Sequence, residues 1–221
     1  QRFGVPVDVE ATVRGLGLVL DTPLGPELGD ACLRDVAMAD RRNELGFDLP
    51  LVGAESGGSA ACVTSGALAA VLRRHRAPGS PMTDAYLDHV ARLGFAPLRG
   101  FLTGSIDVVI RRPGADGPRF FLADYKTNHL GSGEPRRCTA WHYQPAALDQ
   151  AMAHGDYFLQ SHLYAVALHR WLGWRLPDYD YDWHFGGCLY LFVRGMAGRE
   201  GPAGLRTGVF FDRPPRALVE G

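Results

Sequence analysis

Two runs rich in apolar, β-branched and aromatic residues, GFLTGSIDVVIRR at 100–112 and RFFLADYKT at 119–127, are separated by PGADGP. Proline and glycine supply a tight bend, while Val, Ile and Phe suit a pleated, half-buried surface. The spacing predicts an antiparallel β-hairpin, and a hairpin this apolar must be covered by the rest of the chain. Asp8 is placed to cap a helix through VEATVRGLGLVL, which TPLGPELGD ends. RRNELGFDLPL at 41–51 alternates and stops at Pro50, as a strand does. VGAESGGSAAC reads as a loop, and helical patterns follow at 63–76 and 82–94. Residues 128–150 read as irregular and polar, anchored by Trp141 and Tyr143. A helix is expected over 156–172 with Asp156 as its cap. GGCLYLFVRG at 186–195 reads as a covered interior strand, and GVFFDRP at 208–214 as an edge strand stopped by proline. The order predicts an α/β fold, a mixed central β-sheet flanked by helices, with no internal repeat.

The bulk properties exclude several function classes. Lys plus Arg number 23 against 24 Asp plus Glu, a net charge of −1, so affinity for nucleic acid must come from a local patch or a partner. No apolar run reaches the length of a membrane span. The N-terminus has neither signal-peptide blocks nor an initiator Met, so the chain reads as cut from a longer one. Cys32, Cys62, Cys138 and Cys188 are scattered without a CxxC, which argues against a thiolate metal site and for reduced thiols in a cytosolic protein. The phosphate-binding G-x-x-x-x-G-K-[ST], the G-x-S-x-G elbow and the H-E-x-x-H zinc motif do not occur.

What remains is a constellation on the hairpin. Lys126 is the one lysine of the chain, beside 22 arginines. A compact ammonium serves where a planar guanidinium cannot, for instance against a water or a phosphoryl oxygen. Asp107 interrupts SIDVVI and Asp124 interrupts FFLADY. A charge in such a run must be paired, hydrated or bound to a cation. Antiparallel pairing can place both carboxylates at one edge of the sheet, where a hard divalent ion such as Mg²⁺ relieves their repulsion. Alternation puts Asp124 and Lys126 on one face and Tyr125 on the other, leaving its carbonyl free. Salt bridges to Lys126 or an arginine are the alternative reading. Gln160 and Tyr164 lie four apart on one helix face, suited to grip a phosphate or a water. Glu44 is a third candidate carboxylate, otherwise an ordinary solvated strand residue. Trp141, Trp171, Trp174 and Trp183 read as core or interface anchors, with base stacking as the alternative. Arg111, Arg112, Arg119, Arg136 and Arg137 are solvated loop charges or phosphate contacts.

Asp107, then Asp124-x-Lys126, then Gln160-x-x-x-Tyr164 resembles the motif series of PD-(D/E)xK nucleases of the RecB type. GFLTGSID, LADYKTNHLG, LYAVALHRWL and YDYDWHFGGCLYLFVRGM look like the C-terminal nuclease domain of RecB subunits from bacterial RecBCD helicase–nucleases, over about 41–213. The resemblance implies a restriction-endonuclease-like core. It divides the chain into a truncated helical lead-in at 1–40 and a nuclease domain at 41–221, with a helical insertion at about 52–98. It implies Mg²⁺ held by Asp107, Asp124 and the Tyr125 carbonyl, with Lys126 orienting the attacking water. Glu44 matches an acidic residue of the family's first core strand, and Gln160 and Tyr164 its Q-x-x-x-Y motif. Implied partners are DNA single strands delivered by a helicase, RecC- and RecD-like subunits and RecA recombinase, in a cytoplasmic, nucleoid-associated setting with no membrane.

Two departures qualify the resemblance. Ile106 stands where the family name has Pro, and the G-T-x-x-H string that supplies an upstream histidine ligand does not occur. The eight histidines, His75, His89, His129, His142, His154, His162, His169 and His184, read as surface or core-edge residues in the wrong segments to replace it. A catalytically incomplete docking module is therefore the rival reading.

Overall fold

The computed structural model describes residues 8–50, 63–94, 101–114, 117–131, 138–199 and 206–220. The expected loop at 52–62, the turn residues 115–116, Cys62, Arg136 and Arg137 lie outside them. A five-stranded sheet is built from β1 (Arg41–Pro50), β2 (Phe101–Arg112), β3 (Arg119–Lys126), β4 (Phe185–Phe192) and β5 (Val209–Asp212), in that spatial order. The first three strands run antiparallel, β4 joins β3 in parallel, and β5 closes antiparallel as an edge. The sheet is mixed, as the sequence predicts. The parallel step needs a long crossover, which the helices between β3 and β4 provide.

Those helices are α4 (Pro145–His154), α5 (Tyr157–Arg175) and α6 (Tyr181–His184). Before the hairpin come α1 (Val9–Asp21), α2 (Ser65–His75) and α3 (Asp84–Ala91), and α7 (Arg216–Glu220) follows β5. Helix α5 covers one face of the sheet, packing Ala165, Leu168 and Leu172 on Val109, Leu122 and Cys188. On the other face Leu24, Leu28, Leu33 and Val36 pack on Val108, Ile110, Phe121 and Leu189. Each such side chain stabilises the fold by about 1.5–3 kcal/mol when fully buried. A third cluster joins α2, α3 and α4 to Tyr190, Phe192 and Phe210. Helix α1 is capped by Asp8, whose carboxylate accepts from Ala11 N at 2.9 Å, but it buries no residue.

One glycine pair sets the register on which the site depends. Phe120 pairs with Phe185, but Phe121 pairs with Gly187, so Gly186 is an extra residue in β4. A Cβ on Gly186 would lie 2.5 Å from the Phe121 ring, and Gly187 has φ +134° against Phe211. The bulge carries the parallel ladder forward so that Asp124 pairs with Tyr190 and Lys126 with Phe192.

Several expectations need correction. Residues 145–154 are helical, not irregular: Pro145 begins the helix and Leu148, Ala151 and Met152 form its buried stripe. Tyr143 is a buried anchor, whereas Trp141 is exposed. Asp156 stands at the start of α5 with φ +53° and makes no capping bond. Its carboxylate instead faces His89 Nε2 at 3.1 Å. Trp141, Trp174 and Trp183 are 54%, 80% and 56% exposed, so they are not core anchors. His162 is buried, its Nε2 3.2 Å from the Leu218 carbonyl of α7.

Burial pushes the His162 pKa from 6.5 down to about 4, opposed only by that carbonyl. A lowered histidine pKa favours the native state fully above 6.5 and progressively less as pH falls toward 4. Denaturant unfolding at pH 7 and pH 4 should therefore show His162 losing roughly 3 kcal/mol relative to a His162→Gln variant. An unchanged difference between the two proteins across that range would refute this.

Candidate active site

The β2–β3 ladder ends at the pair Val108 and Ala123. One step further stand Asp107 and Asp124. Asp107 Oδ2 accepts from Tyr125 N at 2.9 Å, so a carboxylate continues where the backbone ladder stops. Asp124 is only 3% exposed. Lys126 Nζ lies 2.6 Å from Asp124 Oδ2, close enough for an ion pair. Among the described residues Oδ2 has no other polar partner.

The ammonium is held on its remaining sides. It donates to Gln160 Oε1 at 2.9 Å and sits 4.1 Å from the ring centre of Tyr157 and 5.2 Å from that of Tyr190. Gln160 Nε2 donates to the Tyr164 hydroxyl at 3.0 Å, and the Tyr190 hydroxyl donates to Gln160 Oε1 at 3.3 Å. Tyr157 stacks on Tyr190 with ring centres 5.9 Å apart, and its hydroxyl donates to Asn128 Oδ1 at 3.1 Å. The chain leaving Lys126 is tied by Tyr143, whose hydroxyl donates to Asn128 O at 2.8 Å and accepts from Leu130 N at 3.2 Å.

The structure thus joins Asp124, Lys126, Gln160 and Tyr164 in one network, with Asp107 at its edge. Tyr125 is exposed, and strand alternation puts its side chain on the face opposite Lys126. Glu44 is exposed, faces Asp107 from β1 with φ +50°, and is omitted from the ladder between the pairs Asn43–Val108 and Leu45–Ile106. Its carboxylate accepts from Ser105 Oγ at 3.2 Å. Burial raises the Tyr164 pKa, Gln160 opposes the rise, and Asp124, Asp107 and Glu44 add to it. The three carboxylates therefore act on one phenol.

Sequence reasoning missed Tyr157 and Tyr190. Tyr157 had a local signal, since 157, 160 and 164 fall on one helical stripe. Tyr190 had none, because its place beside Asp124 depends on the parallel register.

Burial raises the Asp124 pKa, Lys126 pulls it back, and Asp107 raises it further. Two carboxylates at the end of the ladder, one of them buried with only the Lys126 ammonium on its Oδ2, are a donor set that fits a hard divalent cation. Among the described residues no three His, Cys, Asp or Glu side chains cluster at metal-binding distance, so protein carboxylates would supply only part of the coordination.

No family model matches the chain. It is 43% identical over 221 residues, 97% of its length, to a protein of Mycolicibacterium smegmatis named RecBCD enzyme subunit RecB. The chain is homologous to part of RecB. The RecB of Mycobacterium tuberculosis H37Rv is 47% identical over 203 residues, covering 90% of the chain. The RecB of Escherichia coli K12 is 42% identical over 127 residues, covering 58% of it. The chain spans 18–20% of the length of the two mycobacterial RecB proteins and 10% of the Escherichia coli one.

A raised carboxylate pKa means that Asp124 favours the native state below its ordinary range and opposes it as pH rises through the raised value. In metal-free protein, the Tm of the native chain should fall relative to that of Asp124→Asn as pH rises from the ordinary carboxylate range through the raised value. Saturating Mg²⁺ should raise the Tm of the native chain and not that of the variant. Equal Mg²⁺ shifts in both proteins would show that Asp124 is not a ligand.

Proposed function

We propose that this chain is the nuclease portion of a RecB-type helicase–nuclease, an exodeoxyribonuclease hydrolysing phosphodiester bonds of DNA with Mg²⁺. The observation that carries the reading is Lys126, held beside Asp124 one ladder step from Asp107. Asp107, Asp124 and the Tyr125 carbonyl would hold the cation. When bound, it supplies charge neutralisation at the phosphoryl group and acidifies a water.

The chain's own residues do the rest. Lys126 orients the attacking water and stabilises charge building on the phosphoryl oxygens. Gln160 and the aromatic pair fix its ammonium before substrate arrives, so little ordering remains to be done at the reacting centre. Tyr164, bonded to Gln160, holds that amide in its donor and acceptor orientation. Glu44 adds negative potential at the mouth. DNA single strands delivered by a helicase are the substrate. RecC- and RecD-like subunits and a RecA recombinase are the partners, in the cytoplasm beside the nucleoid. The name RecBCD enzyme subunit, carried by the relatives, supports the first two partners.

Cleavage of linear single-stranded DNA with Mg²⁺, measured on this chain and on the complete subunit, tests the reading. Lys126→Ala should lower kcat by about 10²–10³-fold, and Asp107→Ala and Asp124→Ala at least as much. Full activity of any of these variants in the complete subunit would remove its assigned role. Failure of Mg²⁺ to bind the native chain and the complete subunit would favour the docking module.

Tyr157 gives a finer test. Its ring, not its hydroxyl, faces the ammonium. Tyr157→Leu should lower kcat by about ten-fold with KM little changed, and Tyr157→Phe should restore most of the rate. Equal loss in both variants would assign the effect to the hydroxyl's bond with Asn128 instead.

A further inference from the structure

The opposite end of the hairpin carries a second like-charge pair. Arg112 and Arg119 are direct cross-strand partners. Like charges placed so are destabilising, and an anion between them relieves the repulsion. Among the described residues neither guanidinium has a carboxylate within ion-pair distance. Both line an open cavity of about 310 Å³ between the hairpin end, the 3₁₀ turn Pro26–Leu28 and α6. Glu27, also at its wall, is engaged by Arg206 at 3.3 Å. Trp183 of α6 forms the remaining side with an exposed indole.

A comparable cavity of about 260 Å³ on the other face is lined by Arg41, Arg42, Arg111 and Trp171, with Asp40 among them. There Arg111 Nη2 is 2.6 Å from Asp40, which neutralises it.

We propose that the Arg112–Arg119–Trp183 cavity is a binding site for single-stranded DNA, one phosphate lying against the two guanidinium groups and an adjacent base stacked on the indole. The size suits one nucleotide, and arginine with an exposed aromatic ring is the pairing that single strands use. Arg119 and Lys126 stand at opposite ends of β3, about 23 Å apart along the strand. The site therefore holds the strand at a distance from the reacting bond. The choice of DNA among phosphate-bearing ligands rests on the nuclease reading; the anion and stacking chemistry does not.

The test is binding of a fluorescein-labelled deoxythymidine oligonucleotide, followed by anisotropy in EDTA. Every protein carries Asp124→Ala, so cleavage plays no part. Arg112→Ala with Arg119→Ala should weaken binding about ten-fold and flatten the dependence of log K on log salt by about 1.4. Trp183→Leu should weaken it about five-fold or more with no change in that slope. Oligonucleotide should quench tryptophan fluorescence in the parent and not in Trp183→Phe. Unchanged affinity and slope in the arginine variant would overturn the proposal. A weakened arginine variant beside an unaffected Trp183→Leu, with inorganic phosphate competing equally well, would overturn it in favour of a simple anion patch. Binding as expected here, beside a complete subunit with native Asp124 that cleaves no DNA in Mg²⁺, would sink the nuclease reading and leave this one standing.

Discussion

The carboxylate of Asp124 is nearly out of reach of water, and one of its oxygens has an ammonium beside it and no hydrogen bond. Burying a charge costs several kcal/mol unless opposite charge and hydrogen bonds make up the loss. Here they make it up only in part, which is why burial still holds the pKa above the ordinary carboxylate range. Strain of this kind persists when the surroundings over-determine it, and they do. β4 pairs Asp124 from one side, α5 presents Gln160, and the Tyr157 ring closes over Lys126. A group held ionisable but under-satisfied is a physical reason to expect function at that place.

The arrangement traces back to a glycine. Because the side-chain period of a strand is two, a slip of one residue between β3 and β4 would turn Tyr190 to the other face. Gly186 absorbs one residue in the bulge, and the Phe121 ring occupies the space a side chain would need. Local packing at the start of the parallel ladder thereby decides which aromatic ring meets the ammonium near its end. Tyr143 does related work after Lys126. It satisfies the backbone at Asn128 and Leu130, so the segment leaving the site has fixed polar partners.

Most of the sheet was legible because strand signals are local. The hairpin, β1, the interior β4 and the edge β5 follow from alternation, apolar runs and turn residues, and Asp107, Asp124 and Lys126 inherit their positions from the hairpin alone. Gln160 and Tyr164 follow from helical spacing. What was not legible depends on contacts across long stretches of chain. Tyr190 and Tyr157 matter because a parallel ladder and a crossover helix converge on Lys126. His162 is buried because α7 packs beside it. Asp156 looks like a cap, but the entry into α5 takes a left-handed turn and the carboxylate goes to His89. Helix α4 was readable in part, since PAALDQAMAH carries proline at its first position and an apolar stripe; the polar, glycine-rich residues before it obscured the signal.

A net charge of −1 conceals how charge is placed on the hairpin. One end carries Asp107 and Asp124, the other Arg112 facing Arg119, and the buried residues Val108, Val109, Ile110, Phe121, Leu122 and Ala123 lie between them. Each end brings together two side chains of like charge. The acidic end has Lys126 as a partial answer, and under the proposed function a divalent cation would complete it. The basic end has no such internal answer among the described residues, and a phosphate completes it. On the two proposals together, a polynucleotide bringing phosphates to both ends, with a divalent cation at one, would satisfy the two poles at once.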